Sequence, residues 1–156
     1  MLPDPKYPAL ETGTRFGKPV RVGSDSFGVT VRVPAGWGRT DTDLVESKWA
    51  PIGSPLNTYL LRVKIISGQH LTVRQAREQR RAALSSVVTE WQLEDETVDT
   101  FVATYVNDDY RRLAMERFLS VDGSDAAFVT VAVIGRVEDR AGLKDLLDRV
   151  SASVRR

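Results

Sequence analysis

Apolar and polar side chains alternate over residues 27–33: Phe27, Val29, Val31 and Val33 fall on one side of an extended chain, and Gly28, Thr30 and Arg32 on the other. A period of two marks a half-buried β-strand. Pro34 ends it, having a fixed φ and no N–H for a ladder. A second alternating run spans Tyr59–Ile66, with Leu61, Val63 and Ile65 opposed to Arg62 and Lys64, and Gly68 closes it. Between these runs, residues 39–57 are polar and carry Pro51, Gly53 and Pro55, so they read as a loop, with Asp41, Asp43 and Glu46 on one short helical turn. The period then changes. Over residues 72–91, Val73, Ala76, Ala83, Leu84, Val87 and Trp91 recur at helical spacing. Thr72 and Gln75 have the spacing of a capping box, in which each side chain satisfies the other's exposed backbone N–H.

Three strands follow, at about Thr97–Val106, Tyr110–Val121 and Ala126–Arg136. Asn107-Asp108-Asp109 and Asp122-Gly123-Ser124-Asp125 are short, turn-forming links, so the strands pair as antiparallel hairpins. Phe128–Ile134 is almost continuously apolar, as a central strand covered on both faces requires. Leu143, Leu146, Leu147, Val150 and Val154 form the stripe of a last helix over Asp139–Val154. Residues 1–26, with Pro3, Pro5, Pro8 and Pro19, read as a flexible N-terminal segment with a short edge strand near Val20–Val22. The expected architecture is α+β: an α/β/α sandwich with a mainly antiparallel sheet flanked by two main helices, occupying residues 27–156 as one domain.

The Val33-Pro34-Ala35-Gly36-Trp37 exit from the first strand, then strand, long helix, three-stranded meander and final helix, resembles the PsbP-like superfamily, which includes LpqN-type lipoproteins and DcrB-type envelope proteins. The resemblance covers about residues 27–154. It implies the sandwich just described and a binding role: members include cell-envelope lipoproteins, subunits of larger machines, a branch that binds a small GTPase and a branch that chaperones secreted effectors. The lipobox cysteine of the lipoproteins has no counterpart here.

Composition narrows the choice of partner. The 156 residues suit one domain, and 22 basic against 21 acidic side chains leave a net charge of +1. That balance disfavours global attraction to nucleic acid or anionic membrane, although a local basic stripe is compatible with it. With no cysteine, disulfides, thiolate catalysis and Cys-based metal sites are excluded. No apolar run approaches the ~18 residues of a membrane helix, and the first ten residues lack the basic flank and apolar core of a secretory signal.

Candidate chemistry is sparse. His70 is the only histidine; it precedes the helix cap, has no Gly-x-Ser-x-Gly partner, and reads as a surface or capping residue. The stretch from Gly13 to Lys18 is one residue short of a phosphate loop, and Pro19 stands where the magnesium-binding hydroxyl belongs. Asp122, Ser124 and Asp125 are oxygen-bearing but fit a hairpin turn better than a calcium loop. Arg74, Arg77 and Arg81, with Arg80 adjacent, form a basic stripe on the first helix, where Arg74 and Glu78 have ion-pair spacing. Trp37, Trp49 and Tyr59 are the aromatic contact candidates; Trp37 also reads as a plug at one end of the sandwich, and Trp91 as core. The expectation is a non-catalytic binding domain with no cofactor and no metal, whose partner is another protein and not nucleic acid. The resemblance places it in a bacterial cell envelope if a leader has been removed, with a cytosolic chaperone or adaptor for secreted effectors as the alternative.

Overall fold

The computed structural model describes residues 1–66 and 70–156; Gly68, expected to close the second strand, lies outside them. The chain runs β1 (Val20–Gly23), β2 (Gly28–Val31), β3 (Trp37–Asp43), β4 (Glu46–Pro51), β5 (Leu60–Ile65), α1 (Val73–Val87), β6 (Thr89–Glu96), β7 (Thr100–Asn107), β8 (Tyr110–Leu119), β9 (Val129–Gly135), and α2 (Arg140–Ser153) after a short 3-10 turn at Val137–Asp139. β3 to β9 form a seven-stranded sheet in the order β3-β4-β5-β9-β8-β7-β6, antiparallel at every pairing, and β1-β2 form a separate ribbon. The expected α+β sandwich is present.

Two cores lie on opposite faces of the sheet. On one, Leu61, Val63, Leu113, Val131 and Val133 meet Leu143, Leu147 and Val150 of α2 and Val22, Val29 and Val31 of the ribbon. On the other, Phe101, Ala103, Tyr105, Ala114 and Phe118 meet Ala76 and Leu84 of α1. The near-continuous apolar run of β9 is explained by its central place, between β5 and β8 and covered on both sides. The capping box exists as read: Gln75 N donates to Thr72 Oγ1 at 3.1 Å, and Thr72 N to Gln75 Oε1 at 3.0 Å.

Two regions depart from expectation. Residues 39–51 are not a loop, and only 52–57 are: β3 and β4 form a hairpin, so Asp41, Asp43 and Glu46 sit on strands and not on a helical turn. This hairpin lies at the sheet edge, where five of the seven β3 residues are exposed and no apolar alternation is required. The first helix stops at Val87, and Trp91 belongs to β6, stacked over Tyr105 with centroids 6.1 Å apart. Glu90, with φ of 50°, turns the chain between them. The N-terminal segment makes contacts with the body. Arg136 Nη1 donates to the carbonyls of Pro5 (2.8 Å) and Tyr7 (3.0 Å), Leu10 N donates to Asp139 Oδ1 (2.9 Å), and Leu10 is buried.

Candidate functional site

α1 packs over β6, β7 and β8 and leaves the same face of β4 and β5 uncovered. A cleft of about 380 Å³ opens there, between α1 and β5. Alternation along β5 supplies its chemistry: Leu61, Val63 and Ile65 point into the α2-side core, so Arg62 and Lys64 must point into the cleft. On β8, Leu113 and Met115 likewise face α2, and Ala114, Glu116 and Phe118 face α1. Glu116, its side chain 1% exposed, is held by two guanidinium groups: Arg80 Nε at 3.1 Å from α1 and Arg62 Nη2 at 3.3 Å from β5. Burying a carboxylate costs several kcal/mol unless such partners hold it.

Arg62 Nε lies 3.8 Å from Glu46 Oε1 but makes no hydrogen bond. Glu46 is opposite Lys64 in the β4–β5 register, and Lys48 is opposite Arg62. Three cations (Arg62, Lys64, Arg80) thus face two carboxylates (Glu46, Glu116) across the cleft, with Ile66, Leu71 and Ala83 forming an apolar wall. The one lining hydroxyl among the described residues, Thr130 Oγ1, donates to the Arg117 carbonyl at 3.1 Å. The arrangement is suited to holding an anionic group beside an apolar one.

The residues singled out in the sequence are dispersed around this cleft. Trp49 and Tyr59 are 3% and 8% exposed and pack the core, Trp49 beneath the Arg39 guanidinium at 5.3 Å. Trp37 is half-buried against Tyr59, 5.7 Å between centroids, and so closes that end of the sheet. Burial raises the Tyr59 phenol above its ordinary value, with Tyr7 and Asp139 adding to the effect. The arginine stripe divides. Arg77 and Arg81 reach Glu96 at the far side of α1, Arg77 also donating to the Thr97 carbonyl; Arg80 enters the cleft; Arg74 remains exposed. Glu78 pairs with Arg77 at 3.2 Å and not with Arg74. His70 is exposed, with φ of 55°. Asp122 Oδ1 is already engaged by Ser120, by the Ser124 hydroxyl and by the Ser124 N–H.

Arg62, Lys64 and Glu116 had been no more than the polar positions of strands. One signal for them was present. Glu116 lies between Ala114 and Phe118 on an otherwise apolar face, and a buried carboxylate demands a cation from elsewhere.

No protein-family model matches the chain, and no curated protein matches its sequence. Solved structures do resemble it. The Ran-binding protein Mog1p of Saccharomyces cerevisiae superposes with a TM-score of 0.60 at 10% identity, over 88% of this chain and 94% of that one. LpqN, involved in cell envelope biogenesis of Mycobacterium tuberculosis, superposes with a TM-score of 0.52 at 10% identity, over 88% and 90% of the respective chains. At such identity the likeness concerns architecture alone: the chain shares the Mog1/PsbP-like fold of these two proteins.

Proposed function

We propose that this chain is a non-catalytic binding domain for another protein, working in a bacterial cell envelope. The observation that carries the reading is the cleft between α1 and β5, where three cations and two carboxylates converge beside an apolar wall on a sheet face the helix leaves open. The excess cation favours a partner segment bearing an acidic side chain next to an apolar one. Among the described residues, no imidazole or thiol lines the cleft and the one lining hydroxyl is engaged, which supports binding over catalysis. The Ran-binding role of Mog1p supports a protein partner, and the envelope role of LpqN supports the location. The apolar wall of Ile66, Leu71 and Ala83 also favours a second reading, a chaperone that lays a client helix in the same cleft.

A photo-crosslinking residue at Gln79, which is exposed and lines the cleft, tests the proposal in cells; Lys144 on α2 is the control position. The expected result is one envelope protein captured from position 79, not from 144, and lost when Arg80→Glu reverses the charge. Capture of secreted effectors would select the chaperone reading. The same adducts from both positions would remove the cleft from consideration.

A further inference from the structure

On the opposite side of the sheet from that cleft, where α2 ends against the ribbon, Arg15, Arg32, Arg149 and Arg155 line an open groove of about 760 Å³. Among the described residues, no carboxylate belongs to its lining. Arg149 lies 3.4 Å from Asp145; among the described residues Arg15, Arg32 and Arg155 have no carboxylate within ion-pair distance. Arg32 Nε spends one donor on the Gly17 carbonyl at 3.0 Å, and Arg155 Nη1 donates to the Ala152 and Val154 carbonyls at 3.0 and 2.6 Å. Among the described residues, the other side-chain N–H groups of these three arginines meet no protein acceptor. In a chain of net charge +1, three guanidinium groups without carboxylate partners, beside a fourth that is paired with Asp145, are a strong local concentration of charge.

The groove is also firmly built. Arg155 and Thr30 exchange backbone hydrogen bonds at 2.7 and 3.0 Å, stitching the end of α2 to β2. Arg32 N donates to Ser153 Oγ at 2.9 Å, and Gly17 N to the Val33 carbonyl at 2.9 Å. Arg149 lies over the Phe16 ring at 4.1 Å and donates to the Thr14 carbonyl at 2.7 Å, so the two walls are joined.

The geometry points to a binding site for a ligand carrying two or more linked phosphate groups. A guanidinium presents a planar fork that matches two phosphate oxygens, and several forks around one groove match a charge density that a single carboxylate lacks. Thr30 and Ser153 place hydroxyls at the same surface. Nucleic acid fits less well: Phe16 is covered by Arg149, so the groove offers no open ring on which a base could stack. The ligand is either free in solution or the headgroup of a membrane lipid.

Titration calorimetry with inorganic tripolyphosphate tests the proposal. The wild-type chain is expected to bind it, and the Arg15→Gln/Arg155→Gln double variant to bind at least about tenfold more weakly, the loss of charge-assisted hydrogen bonds. Arg74→Gln, on α1 and away from the groove, is expected to bind as wild type. Co-sedimentation with phosphatidylcholine vesicles, with and without a phosphorylated phosphatidylinositol, distinguishes the sources. Sedimentation only with the phosphorylated lipid, reversed by tripolyphosphate, assigns a headgroup; calorimetric binding without sedimentation assigns a soluble ligand. No calorimetric binding, equal loss in Arg74→Gln, or binding to duplex DNA that tripolyphosphate does not displace would each overturn the proposal.

Discussion

Asp122 shows how little machinery a local turn needs. Its Oδ1 accepts from the Ser124 hydroxyl at 2.6 Å, the Ser124 N–H at 3.0 Å and the Ser120 hydroxyl at 2.9 Å. These bonds, the Ser124 hydroxyl first, hold its carboxyl down to about 2. A depressed carboxylate favours the folded state above its unfolded value of 3.8, and that contribution disappears as pH falls through about 2. The variant Ser124→Ala is expected to move the Asp122 titration upward toward 3.8, read by NMR of the side-chain carboxyl; an unmoved midpoint would contradict the assignment. At this scale the sequence was legible where bonding is local. The turn at Asp122–Asp125 and the reciprocal pair Thr72–Gln75 involve neighbours in the chain. The Glu116 site was not legible, because its two arginines come from residues 54 and 36 positions away.

At the scale of elements, a strand or helix could be read wherever one face is apolar. β2, β5, β9, α1 and α2 have such faces. β3 and β6 are the two edge strands and expose most of their side chains, and β4, next to β3, buries one polar and one apolar residue, Ser47 and Trp49, so none of the three has an apolar stripe to read. Gly142 gives an element-level prediction. It sits inside α2, where alanine is favoured over glycine by about 1 kcal/mol. A Cβ there, however, falls 2.1 Å from the Leu10 carbonyl oxygen of the N-terminal segment. Overpacking of this kind costs about 1–3 kcal/mol, so the overlap outweighs the propensity. Gly142→Ala is expected to lower stability by about 1 kcal/mol and to speed amide exchange at Leu10, whose N–H loses its hold on Asp139. A melting temperature equal to or above wild type would show that the segment yields without cost.

For the whole molecule, the question is what keeps two separately cored faces in register. Glu116 bridges β8, β5 and α1 through Arg62 and Arg80. Truncation to alanine leaves Arg62, 15% exposed at its side chain, without its main partner. Glu116→Ala is therefore expected to cost about 3 kcal/mol in urea unfolding, with Glu116→Gln costing less. A loss within about 0.5 kcal/mol, as for an ordinary surface site, would show the pair to be incidental. β9 carries the largest-scale consequence. Its neighbours in the sheet are β5 and β8, and it is the last strand in the chain. During synthesis, residues 37–65 and 89–119 can each pair within themselves, as two ribbons with open edges. No backbone ladder joins them until residues 129–135 have left the ribosome and closed the gap. Until then the facing edges of β5 and β8 are unpaired templates for other chains, so a nascent chain stalled before residue 129 is the form of this protein most exposed to aggregation.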